Sequence, residues 1–271
     1  MTAFAVVGHV EWGEFAEVPR VPARGDVVHA AGSFEEPGGG GAVSAVQLAR
    51  LSGGCRLFTA VAQDALGRRC CERLEELGVT VHAGARGGAH RRVFVHLDGA
   101  GERSITVLGE RIAPRGDDPL PWEALDGAAG AYFTAGDGGA LRAARRARVL
   151  VATARAAQTL VASDVRLDAL VRSAHDPGEG LDPATLPIAP RVVISTRGGE
   201  GGEWRAEDGS TGTWPASPLP GPVVDAFGCG DWFAAGLTYG LGSGMRLEDA
   251  VALAARCGAA CLAGRGPYGA A

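Results

Sequence analysis

Short, mostly apolar runs alternate along this chain with longer amphipathic or alanine-rich stretches. The apolar runs cover residues 3–10, 57–61, 79–81, 131–135, 149–152, 167–171 and 191–195. Runs of this length and composition are typical of parallel strands that are buried on both faces. The stretches between and after them predict helices over residues 43–51, 67–77 and 247–262. Strands that alternate with helices indicate an α/β fold around a mostly parallel sheet.

Other segments show the alternation of a hairpin. Residues 92–97 and 103–108 alternate apolar and polar positions, and the sequence Asp-Gly-Ala-Gly joins them at residues 98–101. Asp-Gly between two such runs is a strong hairpin signal. We assign this hairpin, together with the segment around residues 27–30, to a small β-sheet. Residues 204–214 predict a second hairpin.

Length, charge and hydropathy limit the class of protein. With 271 residues the chain is long enough for one domain with a sizeable core, and we expect a single domain over residues 1–271. The 46% hydrophobic content argues against disorder, and the net charge of −5 without a basic patch argues against nucleic-acid binding. No apolar run approaches membrane-spanning length, and the N-terminal run lacks a basic leader. We therefore expect a cytoplasmic protein with no nucleic-acid or membrane partner.

The basic residues are unusual, because all 26 are arginines and the chain has no lysine. A Walker A lysine, the strand lysine of protein kinases and Schiff-base chemistry are thereby excluded. Phosphate chemistry in this chain would have to use backbone amides, arginine and Mg²⁺. The six cysteines form no CxxC pair, which predicts free thiols.

The strongest chemical signal is a glycine-broken turn that leads into an apolar, alanine-rich run. Gly228 and Gly230 on either side of Cys229 let successive backbone N–H groups point into one concavity at a helix N-terminus. Such a concavity favours anionic oxygens, because the unpaired N–H donors and the helix dipole act together. Asp231 at its rim is a candidate base for a hydroxyl that attacks a phosphoryl group. The alternative is that Asp231 only caps the helix.

The sequence Asp-Ala-Phe-Gly-Cys-Gly-Asp at residues 225–231 resembles the C-terminal signature of the ribokinase-like (PfkB) carbohydrate kinases, Asp-Thr-x-Gly-Ala-Gly-Asp. The resemblance implies a three-layer α/β/α fold with a small β-sheet lid over the substrate. About residues 12–35 and 90–109, which include the predicted hairpin, would form this lid, inserted in the α/β core. It also implies ATP-dependent phosphorylation of a hydroxyl on a small sugar or sugar-like substrate. Asp231 would be the general base, and the N–H groups of Gly228, Cys229 and Gly230 would form the anion hole. Asp225, the first residue of the signature, is assigned to cofactor binding.

Further motifs follow in the family's order. The glycine-rich stretch at residues 196–202 resembles Thr-x-Gly-x-x-Gly, which implies nucleotide contacts from Thr196, Gly198 and Gly201. The sequence Asp-Pro-Gly-Glu resembles Asn-x-x-Glu, so Asp176 and Glu179 are implied to place Mg²⁺, which accepts carboxylate ligands. The turn at residues 264–268 resembles a turn near a monovalent-cation site, which makes K⁺ a further candidate cofactor.

The predicted substrate site combines a glycine loop, a carboxylate and a lid arginine. The loop resembles the family's Gly-Gly-x-Gly-Ala-Asn and implies substrate contacts from Gly38, Gly39, Gly40 and Gly41. Glu11 is the carboxylate nearest to the family's substrate-binding Asp, whose place Gly13 takes. Arg103 is a candidate contact to the substrate or its phosphate, and an exposed lid arginine is the alternative. Val43 replaces the family's Asn, so two ribose-type contacts are missing and we do not predict ribokinase specificity.

Two alternatives remain open. A nucleoside kinase is favoured if Trp12 stacks on a base, and a non-catalytic relative would bind a sugar or nucleotide as a sensor. The partner in each case is a small molecule, and the lid is a candidate surface for a homodimer.

Overall fold

A computed structural model describes residues 3–99 and 101–269 of the chain. The strands are β1 Phe4–Val7, β2 Glu11–Glu17, β3 Gly32–Gly38, β4 Cys55–Ala62, β5 Val79–Arg86, β6 Arg92–Leu97, β7 Arg103–Leu108, β8 Gly130–Phe133, β9 Val149–Thr153, β10 Ala169–Ser173, β11 Val192–Thr196, β12 Gly202–Ala206 and β13 Thr211–Trp214. The helices are α1 Gly40–Ser52, α2 Ala65–Glu76, α3 Gly138–Ala144, α4 Ala157–Val161, α5 Cys229–Gly242 and α6 Leu247–Leu262.

The larger sheet has the strand order β13-β12-β11-β10-β9-β8-β1-β4-β5. All strands from β11 to β5 run parallel, and the antiparallel hairpin β12–β13 extends one edge. The mostly parallel sheet predicted from the apolar runs is thus confirmed. Because parallel strands end at the same edge of a sheet, the loops after β1, β8, β9, β10 and β11 come together there.

Helices cover both faces of this sheet. Phe4 and Val6 of β1 pack into a core with α1, α2, α5 and α6, whereas Ala5 and Val7 pack into a second core with α3 and α4. This alternation is expected, since successive side chains of a strand point to opposite faces. The three-layer α/β/α prediction is confirmed.

The smaller sheet has the order β3-β2-β6-β7, and its β6–β7 hairpin has the predicted bounds. Ala100, in the predicted turn of this hairpin, lies outside the described residues. The assignment of residues 27–30 to this sheet is wrong, because residues 18–31 form an irregular connection. The predicted first strand over residues 3–10 ends at Val7, and β2 and β3 supply the remaining strands of the small sheet. These two strands are rich in glycine, glutamate and proline, which have low strand propensity. They are stabilised by pairing with neighbouring strands and by the stacked rings of Phe15 and Phe34, whose centres are 4.6 Å apart.

All six cysteines are free thiols, as predicted. In the described part of the chain, no helix combines the length and the hydrophobicity that crossing a bilayer requires.

Candidate active site at the carboxyl edge of the sheet

The candidate site lies where the loops after the parallel strands meet the N-termini of α1 and α5. His9 follows β1, and Thr134 follows β8. A Cβ atom added to Gly8 would lie 2.1 Å from Thr134 Oγ1, and one added to Gly41 would lie 2.6 Å from the His9 carbonyl oxygen. These glycines therefore allow α1 to approach the ends of β1 and β8.

Helix α5 begins with an open turn. Gly228 is its N-cap with φ of 86°, a left-handed conformation that favours glycine, and a Cβ there would lie 2.9 Å from Val43 Cγ1. The first helical hydrogen bond runs from the Trp232 N–H to the Gly228 carbonyl (2.9 Å), so the preceding N–H groups have no acceptor within the helix. Gly230 is exposed, and a Cβ there would have no neighbour within 4 Å. The first turn of α5 is thus accessible.

Asp231 lies in the first turn of α5 and is half-buried. Because Gly228 is the N-cap of α5, Asp231 is not the helix cap that the alternative interpretation predicts. A Cβ added to Gly40 would lie 3.0 Å from Asp231 Oδ1 and 3.4 Å from Thr134 Cβ, so the carboxylate faces the start of α1. Burial raises the pKa of the Asp231 carboxyl to about 7, with Arg155 lowering this pKa and Glu179 raising it. This carboxyl group therefore exchanges its proton near neutral pH.

Asp225 organises the loop before α5. It is buried, and its carboxylate accepts hydrogen bonds from the N–H groups of Phe227 (2.7 Å) and Gly266 (2.8 Å). Both oxygens are therefore bound to backbone, which joins the loop to the turn at residues 264–268. Its cofactor-binding role stays a prediction. The K⁺ site that the turn at residues 264–268 implies also stays a prediction, and no step of the reaction is routed through it.

Replacing Asp225 with alanine should lower the free energy of unfolding by about 2–4 kcal/mol, because two buried N–H groups lose their acceptors. Urea denaturation measures the effect. The matched control is Asp208→Ala, since Asp208 also accepts two hydrogen bonds but is exposed, and its loss should cost under about 0.5 kcal/mol. Equal destabilisation by the two variants would contradict the anchoring role of Asp225.

The predicted nucleotide residues lie at the end of β11. Thr196 is the last residue of that strand, and its neighbour in the sheet is Ser173 at the end of β10. Gly198 and Gly201 both have positive φ, 56° and 83°. A Cβ at Gly201 would lie 2.0 Å from the Trp214 carbonyl oxygen, so glycine is required there for the approach of β13. Contact of these residues with a nucleotide stays a prediction.

The predicted metal residues are both paired with one arginine. Arg155 Nε lies 2.9 Å from Glu179 Oε1, and Arg155 also contacts Asp176. Glu179 further accepts the Ser173 N–H at 2.5 Å, and burial raises its pKa. No group of three or more His, Cys, Asp or Glu side chains in residues 3–99 and 101–269 could hold a metal ion. Two carboxylates nevertheless fit Mg²⁺ in donor type, because this ion usually takes one or two carboxylates plus water and phosphate.

Glu11 and the glycine loop lie together beside His9. Glu11 is the first residue of β2 and is buried, with Oε2 2.8 Å from Arg91 Nε and 4.0 Å from His9 Nε2. Burial raises the pKa of Glu11 despite Arg91. The glycine loop is shorter than predicted, since Gly38 ends β3 and Gly40 and Gly41 begin α1.

Comparison with known proteins shows a resemblance in family and fold. Residues 140–270, just under half of the chain, match the family model described as pfkB family carbohydrate kinase. The resemblance to the PfkB carbohydrate kinases is confirmed. No curated protein matched the sequence.

Solved structures share the ribokinase-like fold over nearly the whole chain. The ribokinase of Thermotoga maritima has a TM-score of 0.74 at 21% identity and covers 98% of this chain and 95% of its own. An adenosine kinase from Sinorhizobium meliloti has a TM-score of 0.77 at 18% identity with the same coverage. Ribokinase of Arabidopsis thaliana, solved in complex with ribose and ATP, has a TM-score of 0.74 at 19% identity and covers 98% and 94%. At these identities the similarity shows the fold alone.

Val43 and Gly13 are the two residues that replace the sugar-binding Asn and Asp of the PfkB pattern. Both lie beside other residues of this chain. Val43 is fully buried and packs under Gly228. Gly13 lies within β2, where a Cβ would be 2.6 Å from Phe15 Cε2. Arg103 donates a hydrogen bond from Nη1 to the Ala226 carbonyl (2.8 Å), so strand β7 of the smaller sheet contacts the loop before α5. Substrate contact by Arg103 stays a prediction.

Several polar residues near Glu11, Glu179 or Asp231 were not among the predicted site residues. They are His9, Arg91, Arg111, Thr134 and Arg155. Thr134 directly follows a buried strand and His9 comes two residues after another, and this position was a usable signal. The three arginines come from separate segments of the chain, and no spacing rule connects them.

Proposed function

We propose that this protein transfers the γ-phosphoryl group of ATP to a hydroxyl group of a small sugar-like substrate. The observation that carries the proposal is the half-buried Asp231 carboxylate, which faces the start of α1 from the open first turn of α5. The family match and the shared fold support a phosphotransferase. The complex of the Arabidopsis ribokinase with ribose and ATP supports ATP as the donor.

In the proposed reaction Asp231 accepts the proton of the substrate hydroxyl. The hydroxyl oxygen forms a bond to the γ-phosphorus as the bond from that phosphorus to the bridging oxygen of ADP breaks. A base whose pKa lies near the working pH suits this step, and the pKa of Asp231 is about 7. The N–H groups of Gly228, Cys229 and Gly230 would stabilise the negative charge on the phosphoryl oxygens.

The nucleotide would lie along Thr196, Gly198 and Gly201, at the end of β11. Glu179 and Asp176 would hold Mg²⁺, which supplies charge neutralisation at the phosphates when it is bound. Arg155 contacts both carboxylates, and its guanidinium would pair with phosphate oxygens when it releases them. Glu11 and the glycines from Gly38 to Gly41 would contact the acceptor.

The structure gives no support to a nucleoside acceptor stacked on Trp12. Trp12 is buried, and the guanidinium of Arg69 lies 4.3 Å from its ring centre. The lid edge is open, since every residue of β7 is exposed. A homodimer through this edge is a proposal that sedimentation analysis would test.

An ADP-release screen across sugars, polyols and nucleosides, with ATP and Mg²⁺, tests the proposed function. We expect acceptor-dependent ADP release with at least one sugar or polyol. Release that depends only on nucleosides would favour the nucleoside kinase instead. Binding of a sugar without any turnover would favour the non-catalytic sensor.

The pH profile should show the titration of Asp231. A base works only when it is deprotonated, so kcat/KM should rise with pH and level off above about pH 7, where the pKa of this carboxyl lies. Steady-state rates between pH 5 and pH 9 would measure the profile. A rate that is independent of pH between 5 and 8 would contradict the role of Asp231.

A further inference from the structure

We propose that Cys229 is an oxidative modification site, which a hydroperoxide joins to Cys261 in a disulfide that reversibly inactivates the protein. The inference goes beyond the proposed kinase reaction and uses that reaction only as one of its readouts. Cys229 is the first residue of α5, and its N–H group belongs to the proposed anion hole. A bond from its side chain to α6 would therefore act directly on that site.

The first observation is the close packing of α5 against α6. A Cβ added to Gly240 would lie 2.9 Å from Ala250 Cα, and one added to Gly236 would lie 2.9 Å from Ala254 Cα. The two helix backbones are therefore in contact at both levels, since glycine places no side chain between them. Four residues back along α5 correspond to four residues forward along α6, so the two helices run antiparallel in a fixed register.

This register brings the two thiols together. Extended by two helical turns, it places Cys229 opposite Cys261, near the end of α6. The Cys261 thiol donates a hydrogen bond to the Phe227 carbonyl (3.3 Å), and its sulfur lies 3.9 Å from the position of a Cβ at Gly228. The Cys229 side chain packs against the apolar cluster that contains Cys261. A disulfide needs Cα atoms within about 7 Å of each other, which helices in backbone contact allow.

The two thiols differ in exposure. Cys229 is half-buried in the open first turn of α5, whereas Cys261 is only 2% exposed. The hydrogen bond to Cys229 and burial raise the pKa of Cys261, so this thiol keeps its proton. Helix N-termini favour the thiolate form of cysteine, which is the form that oxidants attack. An oxidant therefore reacts first with Cys229, and Cys261 is the thiol that resolves the product.

The oxidation consumes one hydrogen peroxide for each disulfide. The Cys229 sulfur attacks one peroxide oxygen, the O–O bond breaks, and the leaving hydroxide takes up the thiol proton as water, which leaves a sulfenic acid on Cys229. The Cys261 sulfur then attacks the Cys229 sulfur, the S–O bond breaks, and the leaving hydroxide takes the Cys261 proton as water. The two thiols together lose two electrons, and the peroxide is reduced to two waters.

The disulfide would distort the first turn of α5. An S–S bond is about 2 Å long, which is shorter than any contact between two separate thiols, so its formation draws Cys229 towards α6. The N–H groups of Gly228, Cys229 and Gly230 would then no longer converge on one phosphoryl group. A displacement of about 1 Å in such a site is enough to lower the rate by about 10²-fold.

Peptide mapping by mass spectrometry after treatment with hydrogen peroxide tests the pairing. Trypsin cleaves after lysine and arginine, and this chain has only arginine, so Cys229 lies in the peptide 206–246 and Cys261 in the peptide 257–265. We expect the two peptides to be joined after peroxide and separate after dithiothreitol. Cys261→Ser should abolish the joined species and leave a sulfenic acid on Cys229 that dimedone labels. A joined species that persists in Cys261→Ser, or none in the unmodified protein, would overturn the pairing.

Two other cysteines supply matched controls. Cys257 shares the peptide with Cys261, but its sulfur lies 2.9 Å from the position of a Cβ at Gly236, so it faces the middle of α5. Cys257→Ala should therefore keep the joined peptides. Cys71 is half-buried like Cys229 but lies on α2, so Cys71→Ser should change neither the joined peptides nor the response to peroxide.

Activity and nucleotide binding measure the consequence of the disulfide. Peroxide should lower kcat/KM for ADP release and the calorimetric affinity for ATP with Mg²⁺ by about 10-fold or more, and dithiothreitol should restore both. A mapped disulfide that changes neither quantity would overturn the inactivation. If no acceptor reacts, the kinase function fails, and the peptide map together with the ATP titration still decides this inference.

Discussion

Asp231→Asn should reduce kcat by about 10²- to 10⁴-fold, because an amide of the same size cannot take the proton of the acceptor hydroxyl. Nucleotide affinity should stay the same, since the N–H groups of the first turn of α5 are unchanged. The matched control is Asp249→Asn. Asp249 lies in the first turn of α6, is exposed and pairs with Arg246, so its replacement should leave turnover intact. Normal turnover of Asp231→Asn would remove the basis of the proposed mechanism.

The same variant has a stability signature that separates a catalytic effect from misfolding. The pKa of Asp231 is about 7 in the folded protein, against an ordinary value near 3.8 when the chain is unfolded. The folded state therefore binds this proton more tightly, and its contribution to stability is lost as pH rises through about 7. Asparagine carries no charge to bury, so Asp231→Asn should raise Tm more at pH 8 than at pH 5. A lower Tm at both values would indicate structural damage.

Gly40→Ala should lower kcat/KM by about 10²-fold without destabilising the fold, because a small displacement of reacting groups is enough for such a loss. The added Cβ would lie 3.0 Å from Asp231 Oδ1 and would occupy the space beside the carboxylate. Gly40 begins α1, and alanine has a higher helix propensity than glycine by about 1 kcal/mol. We therefore expect kcat/KM to fall while the free energy of unfolding stays the same or rises slightly.

Steady-state kinetics and urea denaturation of Gly40→Ala give the two readouts. Gly87→Ala is the matched control, since a Cβ at this exposed turn residue would have no neighbour within 4 Å. If Gly40→Ala retains full activity, the acceptor does not use the space between α1 and Asp231. A large loss of stability would instead indicate that the methyl group separates α1 from α5.

The elements that sequence analysis predicted well are those with a local signal. The run at residues 149–152 predicts a buried strand, and β9 covers Val149–Thr153. The hairpin at residues 92–108 and helix α6 have their predicted bounds. The loop before α5 was found because its glycines and carboxylates lie within seven consecutive residues. Each of these signals depends on neighbours along the chain.

Strands and contacts that depend on residues far apart in the sequence were visible only in the tertiary structure. Strands β2 and β3 have weak strand propensity and form through pairing with each other and with β6. Asp225 is bound to Gly266, and Arg155 to two carboxylates after the next strand, through contacts that no motif spacing reports.

The amino-acid sequence alone determined the parallel sheet, the β6–β7 hairpin and the position of Asp231, because apolar periodicity and turn glycines act over a few residues. Only the tertiary structure brought Arg91 to Glu11, and only it raised the pKa of Asp231. The reason is that the order of strands in a sheet sets which loops meet, and burial depends on all the segments that surround a side chain.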